Sequence, residues 1–118
     1  MAAAMTPEFD LYLCGPMTGY LDYNHPEFAR IAARLRDEAG LSVWSPHENG
    51  LPASATWHEH MRADIAALMR CKALATHGSW QSSRGACIEV KLAKSLDMEV
   101  YPYQVWIPHP ALRGNQKK

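Results

Sequence analysis

Glu89 has the sequence surroundings expected of a catalytic carboxylate. It lies in a stretch that is otherwise small and apolar, and helical spacing puts Gly85 and Ala93 on its own face. A partly buried carboxylate on such a face is typical of a nucleophile or an acid–base group. The alternative is a surface glutamate paired with Lys91 or Lys94. Separations of two and five residues bring side chains together poorly on a helix, so we favour the catalytic interpretation.

The segment before Glu89 contains small polar residues that could bind an anion. Ser82, Ser83 and Arg84 open a helical pattern shortly after Trp80, and free N–H groups at a helix start attract anions. The hydroxyl and guanidinium groups could add donors for a phosphate. The alternative is plain N-capping of the helix by a serine, which is common.

A second candidate binding segment reads CGPMTGY at residues 14–20. Gly15 and Gly19 would let backbone approach a ligand closely. The segment lacks the GxGxxG spacing of a dinucleotide site, and an ordinary strand-to-helix turn is an equally good interpretation.

The remaining polar side chains have ordinary structural interpretations on local sequence alone. Asp64 lies in the middle of a helical pattern beside arginines, which is typical of a solvated aspartate. Tyr12 lies inside an apolar run, which is typical of a core tyrosine with a satisfied hydroxyl. His58 and His60 are two residues apart on a helix and face different directions, so we expect no metal site there.

The elements that must position these residues alternate between strands and helices. Short apolar runs predict strands at 9–14, 41–44, 73–76 and 99–103. Helical patterns occupy about 26–39, 57–70 and 84–96, and Phe28, Ile31, Ala32 and Leu35 share one face of the first. The alternation predicts a flavodoxin-like open parallel sheet of four to five strands, with the first strand central and helices on both faces. Ligands bind such sheets beyond the carboxyl ends of the strands.

Local signals mark the helix ends. Asn24 is the expected N-cap of the first helix, and Gly40 ends it. Thr56 and Glu59 have the spacing of a capping box at the second helix. Ser82 or Ser83 is the expected cap of the third helix.

Composition limits the class of protein. The 118 residues are one domain's worth, with 47% apolar residues and termini at 1–7 and 109–118 that we expect to be flexible. Twelve basic residues balance twelve acidic ones, so no global field favours a polymeric nucleic acid. Three separated cysteines favour buried thiols in a reducing compartment, with a catalytic cysteine as the less favoured alternative. No apolar run approaches a bilayer span, and residues 1–6 do not read as a signal peptide, so we expect a cytoplasmic location without membrane contact.

Three motifs together resemble the nucleoside 2-deoxyribosyltransferase superfamily. They are YLCGPMTG at 12–19, MRAD at 61–64 and SRGACIE at 83–89. Within that superfamily the likeness is to 2'-deoxynucleoside 5'-phosphate N-hydrolases and to small phage and bacterial deoxyribosyltransferase-like proteins. This sequence departs from the pattern at Cys71-Lys72, at His77 and Ser79, and at Cys87, which bears on substrate choice more than on reaction class.

The resemblance implies roles for individual residues. Glu89 would attack the anomeric carbon of a deoxyribose, Asp64 would protonate the leaving base or orient the sugar, and Tyr12 would position Glu89. No metal or organic cofactor is implied. The residues expected to contact a nucleoside or its 5'-monophosphate are Gly15, Pro16, Met17, Gly19, Trp80, Ser82, Ser83, Arg84 and Gly85.

Two further expectations concern alternatives and partners. The rival function is a non-catalytic module that binds or sequesters a nucleotide, although a carboxylate beside an anion does not help binding alone. Trp57, Met61, Leu68 and Met69 exceed what one core face of the second helix needs, which favours a homodimer or higher homo-oligomer. The resemblance implies a site completed at the subunit boundary, and Trp106 and Ile107 could then lie across a partner.

Overall fold

The protein is built on a parallel sheet with helices on both faces. The computed structural model describes residues 7–108, and the expectation of flexible termini concerns residues outside that range, apart from Pro7. Within the range the sheet has four parallel strands in the order β2-β1-β3-β4, so β1 is central as predicted. This confirms the flavodoxin-like open sheet. The strands are β1 (Phe9–Cys14), β2 (Val43–Trp44), β3 (Cys71–Thr76) and β4 (Glu99–Pro102), and the helices are α1 (His25–Glu38), α2 (Trp57–Leu68) and α3 (Arg84–Ser95).

Strand β2 is two residues shorter than predicted. Ser42, just before β2, is bound to β1. Its backbone carbonyl accepts from Asp10 and Leu11, and its own N–H donates to the Asp10 carboxylate at 2.9 Å. That side-chain bond takes the place of a ladder bond, so regular pairing begins at Val43. Strand β3 starts two residues earlier than predicted, at Cys71, which pairs with Phe9.

The caps of α2 and α3 confirm the sequence prediction. The Thr56 hydroxyl accepts from the Glu59 N–H while the Glu59 carboxylate accepts from the Thr56 N–H, which is a complete capping box. Ser83 caps α3 by accepting from the Ala86 N–H at 3.2 Å. Helix α1 ends at Gly40 with a φ of 68°, where a left-handed residue lets the Leu41 N–H reach back to the Leu35 carbonyl.

The N-cap prediction for α1 was wrong in its chemistry. Asn24 occupies the position, but its φ is 62° and its side chain makes no capping bond. The side-chain amide donates instead to the Pro16 carbonyl at 2.9 Å, which ties the loop after β1 to the start of α1. Asp22 and Tyr23 also have positive φ, at 53° and 49°, so three consecutive residues with side chains are left-handed. Asp and Asn tolerate this conformation better than other residues with side chains, so the strain falls mainly on Tyr23.

The sheet separates two cores of different chemistry. Leu11 and Leu13 of β1 face α1, whose predicted apolar face is fully buried against them. Tyr12 and Cys14 alternate with them and face α2 and α3 on the other side. The residues of α1 in the first core are Phe28, Ile31, Ala32 and Leu35.

The segment after β4 packs on its own chain rather than extending away from it. Residues Tyr103–Trp106 form a single 3₁₀ turn, and Tyr103 is buried in the core against α1. Trp106 and Ile107 pack against the same core. Both residues are only partly buried by their own chain, so the expectation that they lie across a partner stays a prediction.

Candidate active site

Glu89 and Tyr12 are joined by a buried hydrogen bond. Tyr12 projects from β1 and Glu89 from the second turn of α3, and the phenol donates to Oε2 of Glu89 at 2.8 Å. Glu89 is only 5% exposed and Tyr12 is fully buried. The surface-glutamate interpretation is wrong, since the carboxylate faces the sheet rather than Lys91 or Lys94.

Cys14 provides a second donor to the same carboxylate. Its thiol lies 3.4 Å from Oε1 of Glu89, and its position two residues after Tyr12 puts both donors on one face of β1. The thiol also lies 3.7 Å from the Ala86 carbonyl of α3. Desolvation, followed by the charge of Glu89, raises the pKa of Cys14 well above its ordinary value. The thiol is therefore a proton donor here and not a thiolate nucleophile.

Burial changes the acidity of Glu89. Desolvation raises its pKa from 4.5 to about 7, and repulsion from Asp64 acts in the same direction. The hydrogen bonds from Tyr12 and Cys14 favour the ionised form and oppose the rise. The result is a carboxyl group that exchanges its proton near neutral pH.

Asp64 is buried, contrary to the solvated position that local sequence suggested. It is 5% exposed, because α2 packs beside α3 and turns this residue inward. Desolvation raises its pKa from 3.8 to about 6, and a hydrogen bond from Asn49 opposes the rise. Two buried carboxyl groups with raised pKa values thus lie near enough for the charge of Asp64 to act on Glu89, which is typical of an acid–base site.

Asn49 links Asp64 to His60, a connection the sequence did not suggest. Its side-chain amide donates to Oδ1 of Asp64 at 3.1 Å and contacts Nδ1 of His60 at 3.0 Å. Because an amide N–H can only donate, Nδ1 of His60 is the acceptor and the ring proton lies on Nε2. The Asn49 carbonyl oxygen accepts from the Leu51 N–H, so the loop after β2 is anchored to the acid.

Two pairs of residues line the boundary between α2 and α3. The Arg84 guanidinium stacks 4.2 Å from the centre of the Trp57 ring. At the next residue of α3, any side chain in place of Gly85 would meet Met61, because Sδ of Met61 lies 3.0 Å from the position that the Cβ of residue 85 would take. Glycine at 85 therefore lets Met61 of α2 pack closely against the start of α3.

The expected phosphate donors are partly engaged within the chain. The Ser82 hydroxyl donates to the Ser79 carbonyl at 2.8 Å, and the Ser83 oxygen accepts from Ala86. Arg84 is exposed and held on Trp57. These contacts agree with the capping interpretation, and they leave the Ser83 hydroxyl proton and the Arg84 N–H groups as possible donors.

Residues 15–19, which follow β1, lie partly on the α1 side of the sheet, the side opposite the carboxyl pair. A side chain at Gly15 would collide with the His77 ring, so glycine is required there by close approach. Pro16 is buried, and Met17 packs against the core on the α1 side. Gly19 has a φ of 88° and open space around it. Only the start of this segment, at Cys14 and Gly15, adjoins the carboxyl pair.

His77, which the sequence marked only as a departure from the family pattern, is a buried histidine. It is 4% exposed at the end of β3, where its ring packs edge-on against Phe28 at 4.5 Å. Neither ring nitrogen has a hydrogen-bond partner among residues 7–108. Desolvation lowers its pKa from 6.5 to about 4, so the ring is neutral at physiological pH.

An open cleft of about 450 Å³ lies on the outer side of α3, away from the carboxyl pair. Trp80 lines it, whereas Glu89 and Asp64 do not. The structure thus brings Tyr12, Asp64 and Glu89 together, and Trp80 lines the cleft while it packs against the core that contains Tyr12 and Cys14. The remaining lining residues of the cleft are Cys87, Val90, Lys91, Lys94 and Ser95.

The described residues contain no group of three His, Cys, Asp or Glu side chains placed to hold a metal ion. Across residues 7–108, every helix is too short or too polar to cross a bilayer. All three thiols are free, with Cys14 and Cys71 buried and Cys87 partly buried.

Fold and site together define a small α/β protein with a buried pair of carboxyl groups beside its central strand. The chain belongs to the family described as "Domain of unknown function (DUF4406)", whose model matches residues 9–102. The match begins with β1 and ends with β4, so it includes every strand and helix named above. A search of curated proteins gives no match. Kinship with the deoxyribosyltransferases stays a prediction.

Proposed function

We propose that this protein cleaves or exchanges the N-glycosidic bond of a deoxynucleoside or its 5'-monophosphate. The observation that carries the proposal is the buried pair of Glu89 and Asp64, with the phenol of Tyr12 donating to Glu89 at 2.8 Å. Retaining glycoside hydrolysis uses two carboxyl groups in this way, one as nucleophile and one as acid. The motifs at 12–19, 61–64 and 83–89 support the same chemistry by resemblance.

The reaction has two steps. In the first, an oxygen of ionised Glu89 bonds to the anomeric carbon as the bond to the base breaks, and the base leaves with a proton from Asp64. In the second, water or another base attacks the glycosyl ester and releases Glu89. Asp64 takes up a proton from that nucleophile. Deoxyribose favours the reaction, because it lacks the electron-withdrawing 2'-hydroxyl that would destabilise an oxocarbenium-like transition state.

The proton count of the pair fits this sequence. The pKa values of Glu89 and Asp64 lie at about 7 and about 6, so between these values the two groups together hold about one proton. Such protons belong to the pair rather than to one residue. Because the pKa of Glu89 is the higher of the two, that proton lies mainly on Glu89. The competent form, with the proton on Asp64 and with Tyr12 and Cys14 donating to ionised Glu89, is the minor one.

Substrate must reach the pair between α2 and α3. Met61 and the Trp57–Arg84 stack occupy this boundary, so entry requires those flexible side chains to move. Arg84 is then free to contact a 5'-phosphate near the start of α3. We place no metal or organic cofactor in the reaction.

The test is to incubate the protein with a panel of deoxynucleosides and their 5'-monophosphates and to measure free base by chromatography. The intact mass of the protein should rise by one glycosyl group when a slow 2-fluoro sugar substrate is used. Glu89→Gln, which keeps the size and the acceptor for Tyr12, should lose both signals. Binding of a nucleotide without base release or adduct would instead favour a sequestering module.

We further propose that the protein acts as a homodimer or higher homo-oligomer in the cytoplasm. Tyr20, Leu21 and Tyr23 support an interface, since they are exposed in the loop after β1, with Leu21 at 95%. The free thiols agree with a reducing compartment. On α2, Leu68 and Met61 belong to this chain's own interior, and Met69 is the exposed member of the apolar set. Light scattering at micromolar concentration tests the assembly against the 13.2 kDa monomer.

A further inference from the structure

We propose that Cys14 is a positioning residue that holds Oε1 of Glu89 ready for attack and lets it go when the bond to the sugar forms. This inference rests on the proposed glycosyl transfer and identifies Oε1 as the attacking oxygen. It also gives a role to a buried thiol that the mechanism above does not otherwise use.

The two oxygens of Glu89 have donors of different strength. Oε2 accepts from the Tyr12 phenol at 2.8 Å, which is the length of a good O–H···O bond. Oε1 accepts from the Cys14 thiol at 3.4 Å, and a thiol is a weak donor. The oxygen with the weaker partner loses less when it bonds to carbon, so Oε1 is the better nucleophile.

The thiol has somewhere else to donate. Cys14 has a single S–H proton and two acceptors within reach, Oε1 of Glu89 at 3.4 Å and the Ala86 carbonyl at 3.7 Å. When Oε1 carries the sugar, the proton can turn to Ala86, so no buried donor is left without a partner. The same kind of contact is already stable elsewhere in the chain, since the Cys71 thiol donates to the Ala67 carbonyl one turn earlier at 3.3 Å.

The groups that face Glu89 define what a change at position 14 will do. Tyr12 and Cys14 face it from β1 and Asp64 faces it from α2. Cys87, on α3 itself, acts on Cys14 rather than on Glu89. Removing the thiol proton leaves Tyr12 as the one remaining donor in that set and leaves Oε1 free to rotate away from the attacking position.

The experiment compares Cys14→Val, which nearly conserves volume without a donor, with Cys14→Ser, which keeps a donor. The control is Cys71→Val, because that thiol is also buried and also donates to a helix carbonyl. The Glu89 pKa is followed by the carbon-13 signal of its carboxyl group, and base release is followed with the best substrate of the panel.

We expect Cys14→Val to raise the Glu89 pKa and to slow base release on the order of tenfold, the equivalent of about one ordinary hydrogen bond. The acid limb of the pH–rate profile should move with the pKa. Cys14→Ser should restore both toward wild type, and Cys71→Val should change neither.

Two different failures are distinguishable. Wild-type protein that releases no base from any substrate overturns the proposed function. An active enzyme in which Cys14→Val leaves the Glu89 pKa and the rate unchanged, or in which Cys71→Val has the same effect, overturns the role of Cys14 alone. If Cys14→Val does not fold, failure of Cys14→Ser to keep the wild-type pKa profile overturns it as well.

Discussion

The two faces of the central strand support opposite kinds of chemistry. On the α1 side, Leu11 and Leu13 lie in a core that also contains Phe28 and is apolar throughout the strand region. On the α2–α3 side, the alternate residues Tyr12 and Cys14 project into a core that contains two ionisable carboxyl groups. Neighbouring residues of one six-residue strand therefore belong to a stabilising face and to a reactive one.

The difference teaches where stability and reactivity come from. Burial of aliphatic and aromatic side chains on the α1 side stabilises the folded chain. Burial of Glu89 and Asp64 on the other side destabilises their ionised forms, which is why their pKa values rise. The apolar face offsets this cost and holds the carboxyl groups in a state that unfolded chain would not allow.

The largest expected effect is a dependence of stability on pH that comes from the reactive face. Glu89 and Asp64 have pKa values of about 7 and about 6 in the folded protein, above 4.5 and 3.8. These two groups bind more protons in the folded than in the unfolded protein, so their contribution to the free energy of unfolding falls as pH rises from about 4 to about 7. His77, whose pKa is lowered to about 4, contributes with the opposite sign. The loss is roughly 3 kcal/mol for each carboxyl group.

Urea unfolding across this pH range measures the effect. The double variant Glu89→Gln, Asp64→Asn should lose the part of the pH dependence of stability that these two groups contribute. It should also be more stable than wild type at pH 8. Tyr12, Cys14 and Asn49, which face the pair, stay unchanged in that variant. A double variant with the same pH dependence as wild type would show that the carboxyl groups are not desolvated.

The next effect concerns the apolar face. Phe28→Ala should lower the free energy of unfolding by about 3–5 kcal/mol, because a fully buried ring is replaced by a cavity. Phe28→Leu, the control, should cost much less. The Glu89 pKa should stay as in wild type in both variants, as measured by carbon-13 NMR. A shift as large as that of a Tyr12 variant would mean that the sheet does not insulate the two faces.

A smaller effect is expected from Tyr12→Phe, which removes one hydroxyl from the reactive face. The loss of the bond to Oε2 should cost about 1 kcal/mol of stability and raise the Glu89 pKa, since the lost donor favoured the ionised form. Tyr103→Phe on the α1 side is the matched control and should leave that pKa alone. Base release by Tyr12→Phe at the wild-type rate and pH optimum would remove Tyr12 from the mechanism.

The smallest effect is expected at the edge of the reactive face. Asn49→Ala removes a donor from Asp64 and should raise the Asp64 pKa by less than the loss of Tyr12 raises that of Glu89, because the 3.1 Å bond is longer and part-buried. The basic limb of the base-release profile should follow Asp64, because this residue must be protonated to act as the acid. Asn24→Ala, which loosens a loop on the other side through the Pro16 contact, is the control. Equal shifts of the Asp64 pKa in the two variants would show that the effect comes from a general loosening of the loops and not from the lost hydrogen bond.

Local signals predict the fold well and the site only in part. The bounds of β1 and the caps at Thr56 and Ser83 are set by neighbours in sequence, so the sequence is enough to predict them. Asp64 looked solvated because its burial depends on how α2 packs against α3. The thiol contact of Cys14 depends on ångström distances between residues 75 positions apart, which no periodicity contains.

Asn49 and His77 are two further residues whose contacts could not be predicted from the local sequence. Asn49 lies in a loop, where nothing in the local pattern indicates that its amide will meet Asp64. His77 follows a strand that was predicted, but its close contact with Gly15 arises only when β1 and β3 pair. Both follow from the tertiary arrangement of the loops at the carboxyl edge of the sheet.

The left-handed run from Asp22 to Asn24 has a consequence for the energetics of the loop after β1. Tyr23 lies roughly 1–2 kcal/mol above its relaxed conformation, Asp22 and Asn24 less, whereas the tie from Asn24 to Pro16 contributes about 1 kcal/mol. The segment is thus kept in a strained conformation by the elements on either side of it. Its neighbours Tyr20 and Leu21 are exposed, so a contact from outside the chain at these residues would favour or disfavour the strained conformation.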